Sequence, residues 1–110
     1  MNSSTWITGA NGFIGIHLAK AFENQKKVLK FYKPGSISIE KIASKFSFPL
    51  DKRGIESAIN MHGYPDTVYH LAGAPTVGQS FQKPHEDFVS NVHTTEMLCH
   101  ALSDSNAHII

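Results

Sequence analysis

Three glycines near the amino terminus constrain the fold of this 110-residue chain more than any other feature. They lie in the segment Thr8–Gly15, between a short apolar run and a stretch with helical spacing, residues 16–22. Strand, glycine turn and helix is the arrangement that dinucleotide-binding loops require. In such a loop Gly9 allows a tight turn, Gly12 leaves room for a pyrophosphate, and Gly15 lets the helix pack closely on the sheet. The N–H groups at the start of the helix then favour the negative charge of the phosphates.

The same glycine spacing also occurs in strand–helix turns that bind nothing, so the rest of the chain has to decide between the two interpretations. Apolar runs predict strands at residues 6–7, 27–32, 46–48 and 67–72, and a fifth strand opens at 108–110. Helical spacing predicts helices over 16–22, from Asp51 to about Met61, and between Pro84 and Asn106. Residues 36–45 fit either a short helix or a loop. Strand and helix therefore alternate along the chain.

This alternation predicts an α/β fold, a Rossmann-type doubly wound parallel sheet with strand order 3-2-1-4-5. Ligands bind such sheets at the carboxyl ends of the strands, where the strand order reverses. That point lies between the first and fourth strands. The glycine loop follows the first strand, and Leu71, Ala72 and Gly73 lie at the end of the fourth. We therefore expect both segments to border one ligand site.

Composition excludes several other classes of protein. The net charge of +1 gives no reason to expect a nucleic-acid partner. The single Cys99 cannot form an internal disulfide, and the seven histidines lack metal-ligand spacing, so we predict no metal site. No apolar run approaches the roughly 20 residues that span a bilayer, and the first residues lack a signal-peptide pattern. We expect a single cytoplasmic domain over residues 1–110, without a membrane partner.

The glycine segment, with Thr8 before the first glycine and Phe-Ile between the last two, resembles the extended short-chain dehydrogenase/reductase superfamily. Within that superfamily it is similar to the NAD-dependent epimerases and dehydratases that act on nucleotide sugars. Further segments follow in the family's order: His17-Leu18, Asp51 with Ile55 and Ala58-Ile59, Val68 to Gly73, and Asn91-Val92 with Thr95. His70, inside the fourth segment, is interpreted as packing or hydrogen bonding rather than reacting.

The resemblance implies a NAD or NADP cofactor and a set of residues that bind it. These residues are Gly9, Asn11, Gly12, Phe13, Ile14, Gly15, Tyr32, Lys33, Asp51, Leu71, Ala72, Gly73 and Asn91. NAD-using members usually carry Asp at the end of the second strand, where this chain has Tyr32 followed by Lys33. A lysine binds a 2′-phosphate but accepts no ribose hydroxyl, which favours NADP; a solvated Lys33 is the alternative. The family's adenine-binding Asp is replaced by Phe48-Pro49.

The family's Tyr-x-x-x-Lys pair, in which Tyr is the general acid/base, does not occur in this sequence, so we assign no catalytic residue. The resemblance implies that the chain is the cofactor-binding part of an epimerase or dehydratase, without its catalytic and substrate-binding half and truncated at the fifth strand. It would then be inactive alone and meet a nucleotide sugar only in a longer chain. The alternative is a non-catalytic or vestigial nucleotide-binding module complete at 110 residues. The edge at 108–110 also suggests homo-oligomers.

Overall fold

A computed structural model describes residues 4–10, 12–25, 27–33, 46–72 and 84–110, with side chains in the last range described from residue 92. The strands are β1 (Ser4–Thr8), β2 (Lys27–Tyr32), β3 (Ser47–Pro49), β4 (Thr67–His70) and β5 (His108–Ile109). The described helices are α1 (Phe13–Phe22), α2 (Lys52–His62) and α3 (Pro84–Ala101). The predicted stretch 36–45 lies outside the described residues.

The strands form one five-stranded parallel sheet in the order β3-β2-β1-β4-β5, which confirms the predicted fold class and strand order. β1 lies at its centre, with Thr8 opposite Phe31 of β2 on one side and opposite His70 of β4 on the other. The order reverses between β1 and β4. The carboxyl ends of these two strands therefore form the topological switch point, where sheets of this kind bind ligands.

Alternate residues of β1 point to opposite faces of the sheet and belong to two separate cores. Trp6 packs with Phe31 at 4.7 Å between ring centroids, in the larger core. Helix α2 contributes Ile55 to this core and α3 contributes Leu98. Ile7 faces the other way, into a smaller core that α1 covers. All five residues of β1 are buried because both neighbouring strands and both layers enclose it.

Several element boundaries differ from the predicted ones, and β1, predicted at 6–7, spans Ser4–Thr8. Helix α1 begins at Phe13, three residues early, because Gly12 has extended backbone angles (φ −80°, ψ 171°) and serves as its N-cap. Strand β3 lies one residue later than predicted. Strand β4 ends at His70 because the Ala72 N–H donates to the Thr8 side chain instead of continuing the ladder. The last two residues of the predicted strand thus belong to the switch-point loop.

Helix α3 buries only part of the face that the sequence pattern indicates. Leu98 and Leu102 are buried, whereas Val92 is 49% exposed. The imidazole of His70, the last residue of β4, lies 3.1 Å from Thr95 Oγ1. Thr95 of α3 therefore lies beside the carboxyl end of β4.

Among the residues that the structure describes, none of the helices is both long enough and apolar enough to cross a membrane. Nor does any group of three or more His, Cys, Asp or Glu side chains in these ranges have an arrangement that could hold a metal ion.

Candidate functional site

The first glycine of the loop lies directly against the end of β4. Gly9 has φ +65°, a conformation that residues with a side chain rarely adopt. A Cβ at Gly9 would also come within 2.8 Å of Ala72 N and 2.9 Å of the Leu71 carbonyl carbon. The close approach of the two backbones at the switch point therefore requires glycine at this position for two independent reasons.

The second glycine, Gly12, is the N-cap of α1. A Cβ at Gly12 would have one described neighbour within 4 Å, the Gly9 carbonyl oxygen at 3.3 Å. Among the residues that the structure describes, no side chain caps this end of the helix, and its first turn carries no acidic residue. The first N–H groups of a helix have no intrahelical acceptor, and here they belong to residues that include Phe13 and Ile14, both largely exposed. Unpaired donors without a negative neighbour favour an anion.

The third glycine brings the helix against the loop itself. A Cβ at Gly15 would overlap the Gly9 carbonyl oxygen and lie 2.9 Å from Ala10 Cα. The sequence predicted contact with the sheet, so the structure refines this role: the first turn of α1 rests on the loop backbone. The Ala10 N–H in turn donates to the Phe31 carbonyl of β2 at 3.3 Å, which holds the loop over the sheet.

A chain of hydrogen bonds lies behind the loop. The Thr8 side chain is fully buried, and its Oγ1 lies 2.7 Å from His70 Nδ1 and accepts the Ala72 N–H at 3.1 Å. On the other side of the imidazole, His70 Nε2 lies 3.1 Å from Thr95 Oγ1. Burial lowers the pKa of His70 below its usual 6.5. The interpretation of His70 as a hydrogen-bonding residue is thus confirmed, although its partners were not predictable from the local sequence.

The predicted adenosine-binding positions lie at the ends of β2 and β3. The Tyr32 side chain is half-buried against the core under α1, and its carbonyl accepts the Leu50 N–H at 2.7 Å. Lys33 is exposed. Asp51 caps α2 as predicted, with Oδ1 accepting the Gly54 N–H at 2.7 Å. One carboxylate oxygen of Asp51 is therefore already bonded within the protein.

Three of the predicted site residues cannot be placed in this way. Asn11 and Gly73 lie outside the described residues. Asn91 lies within α3, among the residues whose side chains are not described. The structure therefore places the glycines of the loop, Leu71 and Ala72 at one switch point, with Tyr32 and Lys33 at the end of the neighbouring strand β2.

A comparison with protein-family models finds the NAD dependent epimerase/dehydratase family over residues 5–110, nearly the whole chain. This chain belongs to that family. A comparison with curated proteins found no match.

Solved structures include members similar to this epimerase/dehydratase-family chain. One is the UDP-glucose 4-epimerase of Thermus thermophilus in complex with NAD, with 26% identity over 90% of this chain and a TM-score of 0.71. Another is the UDP-glucose 4-epimerase of Thermotoga maritima with UDP-glucose, with 25% identity over 90% of this chain and a TM-score of 0.68. L-threonine dehydrogenase of Clostridium difficile shares the fold, with a TM-score of 0.76 at 19% identity over 97% of this chain. The chain spans 33%, 33% and 35% of these three proteins.

Proposed function

We propose that this chain is the nicotinamide-dinucleotide-binding portion of an epimerase/dehydratase-type oxidoreductase that acts on nucleotide sugars. The observation that carries the proposal is the packing of Gly9 against Leu71 and Ala72, beside Gly12, where an added Cβ would have one described neighbour, the Gly9 carbonyl oxygen at 3.3 Å. Family membership and the two similar epimerases, one solved with NAD and the other with UDP-glucose, support the same assignment.

The residues present fit a dinucleotide. A pyrophosphate needs backbone donors, a close approach to the chain and no competing negative charge. The N-terminus of α1 offers the donors, and the hydrogen atom in place of a side chain at Gly12 leaves the space that a Cβ would fill. The phosphates would therefore lie at the first turn of α1.

The remaining positions then have distinct tasks. Tyr32 and Lys33, at the end of β2, would contact the adenosine half, and the Leu71–Ala72 backbone would border the half that carries nicotinamide. Bound there, the dinucleotide supplies hydride exchange with a carbon of the sugar. The described residues of this chain bind and orient it. We assign them no acid–base step, because the Tyr-x-x-x-Lys pair does not occur in this sequence.

The test fills the space beside Gly12. The extended backbone at Gly12 accepts any residue, but a Cβ there would lie 3.3 Å from the Gly9 carbonyl oxygen, so circular dichroism first checks that Gly12→Val folds. The valine side chain would occupy the place of the phosphates. We expect NAD to bind at least about tenfold more weakly, a difference of roughly 1.4 kcal/mol, in isothermal titration. Ala21→Val adds a valine at an exposed position of the same helix and should bind like the parent. Equal affinity of folded Gly12→Val and parent would remove the loop from the site.

A further inference from the structure

A hydrogen-bond network centred on His70 connects β1, β4, α3 and the loop after β4. His70 of β4 contacts Thr8 of β1 and Thr95 of α3, and Thr8 also holds Ala72 of the loop after β4. Thr8 and His70 are paired in register although 62 residues separate them in sequence. The network therefore joins segments that no local turn holds together.

Proton counting fixes the direction of these hydrogen bonds. A threonine hydroxyl has one hydrogen to donate, and its oxygen can also accept. Thr8 Oγ1 accepts the Ala72 N–H, and the fully buried hydroxyl hydrogen then needs an acceptor, which His70 Nδ1 provides at 2.7 Å. The imidazole proton therefore lies on Nε2 and is donated to Thr95 Oγ1. Burial, which lowers the pKa of His70, favours the same neutral form.

The Ala72 backbone, which this network holds in place, packs directly against Gly9 of the glycine loop. A Cβ at Gly9 would lie 2.8 Å from Ala72 N, so a shift of Ala72 by a fraction of an ångström changes the position of the loop. Gly15, in the first turn of α1, packs on the Gly9 carbonyl. Displacement of Ala72 is thereby passed through Gly9 to the donors of α1.

We propose that His70 is a positioning residue for the dinucleotide. Through its hydrogen bond with Thr8 it fixes the position of the Leu71–Ala72 backbone. That backbone in turn sets the position of the glycine loop and of the N–H donors of α1. His70 acts without touching the ligand. The proposal rests on the function proposed above, and its effect is confined to the phosphate and nicotinamide side. Adenosine contacts at Tyr32 and Lys33, beyond β1, should not depend on it.

Substitutions at His70 distinguish the hydrogen bond at Nδ1 from the one at Nε2. His70→Phe keeps a planar ring and removes both hydrogen bonds. His70→Asn puts an amide oxygen near the place of Nδ1, so that Thr8 keeps an acceptor. Thr8→Val removes the hydroxyl and keeps the shape. His100→Phe makes the same substitution at an exposed position of α3 and is the control.

The first measurement is the affinity of the 110-residue chain for NAD and for adenosine, which has no phosphate, at a temperature where circular dichroism shows every variant folded. We expect His70→Phe and Thr8→Val to bind NAD about tenfold more weakly, with unchanged adenosine affinity. His70→Asn should recover most of the NAD affinity, and His100→Phe should match the parent. Equal NAD affinity of parent and folded His70→Phe would overturn the proposal, and so would an equal loss for adenosine, which indicates general loosening.

The second measurement needs no ligand and separates this proposal from the proposed function. Amide hydrogen exchange by NMR should show protection of Ala72 in the parent and in His70→Asn, and at least tenfold faster exchange in His70→Phe. Imidazole nitrogen shifts should show the proton of His70 on Nε2. If NAD does not bind to the parent but Ala72 responds in this way, the proposed function fails while the positioning of the backbone stands. Unchanged Ala72 exchange in His70→Phe overturns the positioning itself.

Discussion

Two glycines have positive φ but different surroundings. Substituting each by alanine therefore distinguishes the cost of backbone strain from the cost of steric overlap. Gly63, after α2, has φ +81° and nothing described within 4 Å of an added Cβ, whereas Gly9 has backbone atoms of Leu71 and Ala72 within 3 Å. Gly63→Ala should cost only backbone strain, about 1–3 kcal/mol. Gly9→Ala adds overlap with backbone that cannot rotate away, so we expect a larger loss of unfolding free energy.

Urea unfolding measures both variants through Trp6, the only tryptophan, which is buried in β1. The wild-type chain gives the reference free energy of unfolding. Equal destabilisation by the two substitutions would show that the β4 end can move away from Gly9, and that the contact at the switch point is loose.

Lys33 allows a test of the choice between NAD and NADP. Lys33 is exposed at the end of β2, in the place where the resemblance implies an acidic ribose ligand in NAD-using members. Because solvent screens an exposed charge, its contact with a 2′-phosphate is expected to contribute at most about 1 kcal/mol, roughly fivefold in affinity. We expect the parent to bind NADP at least as well as NAD and Lys33→Ala to lose this advantage.

The control for this prediction is Lys20→Ala, which removes an exposed lysine from the far part of α1. Titration of both variants with both cofactors gives the ratio of affinities directly. A clear NAD preference in the parent chain would contradict the NADP assignment.

At the scale of an element, the junction of β3 with α2 depends on Gly54. Helix propensity alone predicts that Gly54→Ala stabilises α2 by about 1 kcal/mol. The structure predicts the opposite sign, because a Cβ there would overlap the Pro49 carbonyl oxygen and lie 2.9 Å from its carbon. We expect a net loss of at least about 1 kcal/mol in urea unfolding, since overpacking typically costs 1–3 kcal/mol.

Ser57→Ala, at an exposed position of the same helix, is the matched control and should have a small effect. A stabilised Gly54→Ala would mean that the helix can withdraw from β3 without cost.

The elements themselves were largely predictable because their signals are local. Strand β2 has the predicted bounds, since an apolar run is stopped by Pro34-Gly35, and Asp51 caps α2 as its residue type indicates. The predicted start of α1 was wrong by three residues and the predicted end of β4 by two, because contacts with the loop decide both. The glycine loop was recognisable from spacing.

The partners of the loop were not recognisable. Sequence assigned Gly15 to the sheet, but its neighbour is the carbonyl of Gly9. The hydrogen bond from Thr8 to His70 joins residues 62 positions apart, and nothing in either local pattern encodes it. Interactions of this kind follow from strand register, which becomes known only when the sheet is assembled.

At the scale of the whole molecule, β5 leaves apolar side chains exposed at one edge of the sheet. Ile110 is 69% exposed and Ile109 is 36% exposed. Exposed apolar strand edges favour pairing with another chain, so we expect concentration-dependent self-association. Ile110→Lys should weaken it at least about threefold in sedimentation velocity, because a charge on the edge opposes pairing.

Met61→Lys is the control: Met61 is 56% exposed but belongs to α2, away from this edge. A parent chain that remains monomeric at the highest concentration tested would contradict the prediction, and equal weakening by both lysines would assign it to net charge.

The central position of β1 also has a consequence for the order of folding. Pairing of β1 with β2 closes a loop of 23 residues, from Thr8 to Phe31, and pairing with β4 closes one of 62 residues. The longer closure costs about 0.9 kcal/mol more in chain entropy, and its residues leave the ribosome later. We therefore expect β1, α1 and β2 to assemble first and β4 to dock on them afterwards. The switch point lies between the two parts that these steps join, so a ligand bound there would hold β4 on the part that assembles first.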